Sequence, residues 1–169
     1  MKRDSFITEA DSYLCVHRGL LSTEQENEYL RLLEEERAMP EPEEGEEETP
    51  VSLDLLKLYK ALQLLVYDAS DAVNSFSIGG HSLWLSPSQR ANYLLTIEAA
   101  QEAGVESVPF EGANLPVATA LAALKAINLY AMQCVAVTNA HAAAIAELGS
   151  EADIARYDFT VGYPAKLAF

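Results

Sequence analysis

Cys15 and His17 stand two residues apart, a spacing that puts a thiol and an imidazole on one side of a β-strand and supplies half of a tetrahedral zinc site. The neighbourhood offers no third or fourth ligand, so no metal is expected there. Cys134 and His141 are seven apart in a run of helical periodicity, which separates them by roughly 10 Å along a helix axis. That is too far for direct proton transfer, and the expectation is a small buried thiol and a hydrogen-bonded core histidine. The third histidine, His81, lies in another segment. No GxSxG, HExxH, phosphate-binding or dinucleotide-binding motif is present. Without a nucleophile, a base and an orienting group to assemble, no catalytic residue, cofactor or metal is assigned, and a small hydrolase or transferase is disfavoured.

Trp84, the single tryptophan, precedes a helix-start signal; the expectation is that it packs a hairpin onto helices. Arg90 falls one turn into the helix that follows, where its charge opposes the helix dipole. An ion pair with Asp158 or Asp71 is expected to hold it. Two cysteines 119 positions apart support neither a disulfide framework nor a zinc ribbon, and both read as reduced thiols.

The 169 residues carry 11 basic and 26 acidic side chains, a formal charge of −15 with a pI near 4.4. That balance argues against a general nucleic-acid binder and against an anionic membrane surface. The charge is uneven. Residues 1–50 hold fifteen acids and five bases, and PEPEEGEEETP from Pro40 to Pro50 concentrates six glutamates, three prolines and a glycine. Such a run buries no apolar area and repels itself, so it reads as an extended tether that Glu34, Glu35 and Glu36 lengthen. The chain is accordingly divided into an N-terminal arm (1–38), an acidic tether (39–50) and a helical domain with a hairpin (51–169).

In the arm, Phe6 to Leu21 reads equally as a short strand or an extended arm. Ser22-Thr23-Glu24-Gln25-Glu26 offers two overlapping capping boxes and starts a helix. Its narrow apolar stripe of Tyr29, Leu30, Leu32 and Leu33 is too short to fold alone, which makes these four the candidate docking residues. After the tether, Ser52 is an N-cap, and Leu55, Leu58, Leu62, Leu65, Ala69, Ala72 and Phe76 recur at 3,4 spacing as a helical seam of three heptads. Flanking Leu56, Tyr59 and Val66 predict burial on more than one side. Phe76 to Leu85 reads as two short strands about Gly79-Gly80. Ser86-Pro87-Ser88-Gln89 starts the next helix, and Gly104 ends it. Val105 to Asn114 is a second hairpin or a strand added to the first, with Pro109 confining it to an edge.

Val117 to Leu148 predicts the longest helix, roughly 45 Å at 1.5 Å per residue, with Leu124, Ile127, Ala131, Cys134, Thr138, His141, Ile145 and Leu148 along its seam. It is Ala-rich, with Lys125 the only charge between Val117 and Ala146, so it is either the centre of the domain or an oligomer contact. Its polar interruptions favour a buried helix over a membrane span. Tyr157, Phe159, Val161 and Tyr163 alternate with polar residues in a strand-like, extended C-terminal tail. The expected fold is mainly α with a small β-hairpin (α+β), a bundle of three or more helices.

The run Tyr67 to Phe76, the WLS at Trp84 to Ser86, Arg90, Leu115-Pro116, LYAMQCVAVTNAH from Leu129 to His141 and the closing YDFTVGYPAKLAF resemble an uncharacterised phage and prophage domain family. The chain is similar, over about residues 60–169, to domains encoded near tail-fibre genes in prophages of gut Bacteroidetes. Its marks here are Trp84, Arg90, Cys134, Thr138, His141, Tyr157, Asp158, Gly162, Tyr163 and Pro164. The family brings no catalytic residues. What the resemblance implies is a phage structural or assembly protein, a virion-associated or tail adaptor whose partners are other phage structural proteins or itself, located in the virion or the host cytoplasm. The alternative is an intracellular tail-fibre chaperone or an acidic inhibitor of a host protein.

Overall fold

The computed structural model describes residues 3–40 and 49–169. The fold is mainly α with two small antiparallel hairpins: α1 (Arg3–Val16), α2 (Thr23–Ala38), α3 (Leu53–Ala69), β1 (Phe76–Ile78), β2 (His81–Leu83), α4 (Pro87–Glu102), β3 (Ser107–Phe110), β4 (Ala113–Pro116), α5 (Val117–Glu147) and α6 (Glu151–Arg156). Most of the expected tether lies outside the described residues. The chain forms two compact units: unit 1 joins 1–68 with 138–161, and unit 2 joins 69–137 with 162–169. The changeovers between the units fall at the end of α3, within α5 and after Val161.

In unit 1 the segment read as a strand or an extended arm is a helix. Phe6, Ala10 and Leu14 recur every four residues with Ile7 beside them, and all four are buried. The alternation of Tyr13 and Cys15 with Leu14 and Val16 is overridden by this longer period. Cys15 on α1 is exposed, while His17, just past the end of α1, rests tilted against Tyr13 with ring centres 4.5 Å apart, so the two do not face one way as a strand would have them. Helix α2 begins as expected at Ser22, whose hydroxyl accepts from the Gln25 amide at 3.2 Å while the Gln25 side chain accepts from the Ser22 amide at 3.1 Å. It runs on to Ala38, so Glu34, Glu35 and Glu36 are helical residues and not the head of the tether. Ser52 caps α3, accepting from the Leu55 amide at 3.3 Å.

Helices α1, α2 and α3 share one core that includes Phe6, Leu14, Tyr29, Leu33, Leu55, Tyr59 and Leu62. Arg3 and Glu36, 7% and 2% exposed, face each other beside it, with Arg3 Nε 3.2 Å from Glu36 Oε2. The Arg3 guanidinium donates to the Glu36 carbonyl, and Glu36 Oε1 accepts from the Ser52 amide at 2.8 Å. One carboxylate thus links α1, α2 and the start of α3. Lys57 donates to the Ala146 carbonyl at 2.8 Å, meeting the unpaired acceptors at the end of α5.

The seam of three heptads stops early, at Ala69. The Ser70 hydroxyl accepts from the Ala72 amide, and the Val73 and Asn74 amides both donate to the Ser70 carbonyl, which closes a turn instead of another helical turn. In unit 2, β1 and β2 pair about Gly79 (φ 55°) and Gly80 (φ 85°), the two positive angles of a type I′ turn. The second hairpin is separate from the first and turns on Glu111 (φ 47°) and Gly112 (φ 80°). Helix α4 carries the expected box of Ser86 with Gln89 and the positive-φ Gly104 after its end. Phe76, Leu85, Ile97, Phe110, Leu124 and Ile127 anchor this core.

Residues Tyr157 to Tyr163 are not a strand. Asp158 accepts from the amide and the hydroxyl of Thr160, which folds a turn, and Gly162 has φ 84°. Extended pairing comes later, within unit 2: Ser77 donates to the Leu167 carbonyl at 3.0 Å, and Phe169 donates to the Ser77 carbonyl at 2.9 Å, beside β1. Lys166 holds the tail by donating to Ser75 Oγ at 2.7 Å and to the Asp71 carbonyl.

Candidate functional site

Among the openings of the described residues, a cavity and an exposed helix face offer apolar surface to a partner or ligand. The first is a cavity of about 420 Å³ in unit 1. Leu56, Tyr59, Lys60 and Gln63 follow helical spacing on one face of α3 and line it together with Phe6, Val51 and the α6 residues Glu151, Ile154 and Ala155. Its wall is mostly apolar. Tyr59 is held by an edge contact with Phe6 at 5.3 Å and donates its hydroxyl to Glu9 at 2.6 Å. Burial, then the Glu9 hydrogen bond, raises the Tyr59 phenol above its ordinary range. The Lys60 ammonium lies 5.2 Å from the centre of the Phe159 ring, and burial lowers its pKa against the pull of Asp158. Such a pocket can hold an apolar group beside one cation and one carboxylate. Among the described residues no three His, Cys, Asp or Glu side chains gather as a metal site.

The residues marked by the resemblance divide between the units. In unit 1, Thr138 donates to Asp68 Oδ1 at 2.6 Å, and His141 is bonded through both ring nitrogens, Nδ1 to the Tyr157 hydroxyl at 2.8 Å and Nε2 to the Val161 carbonyl at 2.9 Å. A carbonyl only accepts, so Nε2 carries a proton; in the neutral ring Nδ1 then accepts from Tyr157. Asp158 is held below the ordinary carboxylate range by its hydrogen bonds from Thr160, with smaller help from the charges of His141 and Lys60. The group ties the end of α5 to the segment after α6. The chain matches no family model, no curated protein and no solved structure.

In unit 2, Cys134 is buried, and Trp84 packs edge-on to Tyr130 at 6.3 Å and against Phe76 at 6.3 Å. Among the described residues Arg90 forms no ion pair, so the pairing expected with Asp158 or Asp71 is not found. Its guanidinium donates to the Leu85 carbonyl, just before the α4 cap, at 2.7 Å and lies 5.3 Å from the Trp84 ring. Tyr163 and Pro164 are half-buried in the tail, and a Cβ at Gly162 would stand 3.8 Å from Val137.

The four candidate docking residues lie inside unit 1. Tyr29, Leu32 and Leu33 are buried among α1 and α3, Leu30 packs partly against them, and the Tyr29 hydroxyl donates to the Ala10 carbonyl at 3.0 Å. The stripe therefore docks on its own unit.

The second open feature went unnamed in the sequence. On the unit 2 part of α5, Leu129, Met132 and Val135 are 56%, 70% and 57% exposed. Leu129 and Met132 lie on the side away from the buried seam of Leu124, Ile127, Ala131 and Cys134, and Val135 lies at the margin between the two. A second seam was there to be found: Ala118, Ala122, Lys125, Leu129, Met132 and Ala136 keep the same 4,3 spacing. By length and composition alone, α5 is also apolar enough to cross a bilayer.

Proposed function

We propose that this protein is a non-enzymatic phage structural or assembly protein, a tail or virion-associated adaptor that acts through protein–protein contacts. The observation that carries the reading is the outward face of α5 in unit 2. Three large apolar side chains stand more than half exposed there, in a chain whose formal charge is −15. A patch of this kind marks contact surfaces, and contact is the work of an adaptor. The resemblance of residues 60–169 to domains encoded near tail-fibre genes supplies the phage setting. The dense hydrogen bonding of Thr138, His141, Tyr157 and Asp158 supports a structural role for the residues that carry that resemblance.

Mass spectrometry of purified induced-prophage particles tests the reading. Stoichiometric peptides of this protein in intact particles are expected. Their absence, with the protein abundant in the lysate, refutes the adaptor and points to a tail-fibre chaperone or an inhibitor of a host protein.

A further inference from the structure

We propose that the outward face of α5 in unit 2 is the contact surface of an antiparallel homodimer, a partner assignment that rests on the contact-driven function above. Leu129 and Met132 occupy successive positions of the exposed 4,3 seam, with Val135 flanking them. A face with such a repeat complements a second copy of itself, each large side chain seating among four residues of the facing helix. Toward both ends the seam narrows to Ala122 and Ala136, which let two backbones approach.

Charge selects both the occupant and its direction. Within α5 this face carries no carboxylate, and Lys125 is its only charged residue. A basic partner would find no acid to pair with, whereas a second copy meets a matching apolar surface. In a parallel pair Lys125 would face Lys125 of the other copy. An antiparallel pair centred between Leu129 and Met132 places Leu129 opposite Met132 and Lys125 opposite Ala136, with no like-charge contact. The area is small. Leu129, Met132 and Val135, with the alanines and the Lys125 stem around them, cover on the order of 1,000 Å² for the pair, the lower limit of a specific interface. The dimer is accordingly weak, with a dissociation constant of about 10 to 100 µM, and it tightens with salt as repulsion between two acidic chains is screened.

The test is sedimentation velocity on the full chain carrying Cys15→Ser, which removes the exposed thiol. Reversible dimerisation in the range of about 10 to 100 µM is expected, weakened at least tenfold by Met132→Glu. It should be unchanged by Leu95→Glu, a site 67% exposed on α4 that controls for a general effect of added charge. Direction is read by oxidation. Leu129→Cys mixed with Met132→Cys should form a disulfide heterodimer faster than either variant crosslinks alone. A monomer at every concentration overturns the proposal, as does a dimer indifferent to Met132→Glu. Faster crosslinking of each variant with itself overturns the antiparallel arrangement. Binding to phosphatidylcholine vesicles without dimerisation overturns it too and gives the face to lipid. A monomer that is nonetheless stoichiometric in particles defeats the dimer and leaves the adaptor standing; a dimer absent from particles does the reverse.

Discussion

Replacing Glu36 by alanine should damage the protein far more than replacing any neighbouring glutamate. Glu36 is 2% exposed, stands 3.2 Å from Arg3 Nε, accepts from the Ser52 amide at 2.8 Å and offers its own carbonyl to the Arg3 guanidinium. Removing one partner of a buried pair costs about 3 to 5 kcal/mol, chiefly because the other charge is left buried without compensation. Arg3 lies in the first turn of α1 and its long side chain can swing toward water, so the lower end, about 3 kcal/mol, applies to the pair. The Ser52 amide loses its acceptor at the start of α3, which adds about 1 kcal/mol. A loss of about 4 kcal/mol corresponds to a fall in Tm of roughly 8 to 16 °C for a chain of this size. Thermal and urea unfolding followed by far-ultraviolet circular dichroism provide the assay. Glu35→Ala is the control, since its carboxylate only pairs with exposed Arg31 and its loss should stay within about 0.5 kcal/mol. The double variant Arg3→Met with Glu36→Leu should recover most of the stability, because an apolar pair of similar volume avoids the desolvation cost. If Glu36→Ala and Glu35→Ala prove equally mild, the three-helix linkage through Glu36 is wrong.

Other outcomes follow from the same geometry. Arg90→Ala should lower stability by about 1 to 2 kcal/mol through loss of the Leu85 carbonyl bond and the Trp84 ring contact, and the loss measured by urea titration should be the same at low and high salt because no ion pair is involved. Tyr29→Phe should cost about 1 kcal/mol in the same assay, since its buried hydroxyl donates to Ala10. Burial raises the Tyr29, Tyr59 and Tyr13 phenols above their ordinary value, so the folded state holds protons that the unfolded state releases. Stability is full below a pH of about 10 and falls as pH rises beyond it; Tyr29→Phe should make that alkaline slope shallower in a titration monitored by circular dichroism. Asp158 has the opposite sign: its lowered pKa favours folding above a pH of about 4 and that contribution fades in acid, so Asp158→Asn should flatten the acid limb.

Where capping chemistry and periodicity agreed, the elements were legible. Ser22 with Gln25, Ser86 with Gln89, and Gly79 with Gly80 each solve a local backbone problem with local atoms, and each stands where the chain places it. The fold departs from the sequence pattern where two periods compete or where the partner is distant in sequence. Phe6, Ala10 and Leu14 compete with the alternation of residues 13–16, and the shared core with α2 and α3 decides for the helix. The seam that should have carried α3 on to Phe76 yields to Ser70, whose hydroxyl offers the backbone a turn. The sequence points Arg90 to a carboxylate because it reveals charges and hides carbonyls, and the partner in the fold is the Leu85 carbonyl. The cavity beside Lys60 was invisible for the same reason, since α1, α3 and α6 each contribute only part of it.

Alanine explains why the two faces of α5 are hard to tell apart in the sequence. A helix with large residues on one stripe declares which side is buried, because only one arrangement removes them from water. In α5 the stripe of Leu124 and Ile127 and the stripe of Leu129 and Met132 are similar in size, and alanines fill the positions between, so the sequence supports either as the core. The neighbours break the tie. Phe76, Leu85, Ile97 and Phe110 supply enough apolar surface to cover one stripe, and the one they cover contains Leu124 and Ile127. A helix made to satisfy only that core would gain solubility by carrying charge at 129, 132 and 135, as surface positions ordinarily do. On the proposed dimer the second stripe is kept apolar for the contact with the other copy, and Met132→Glu is therefore expected to leave the folded monomer intact while weakening the association at least tenfold.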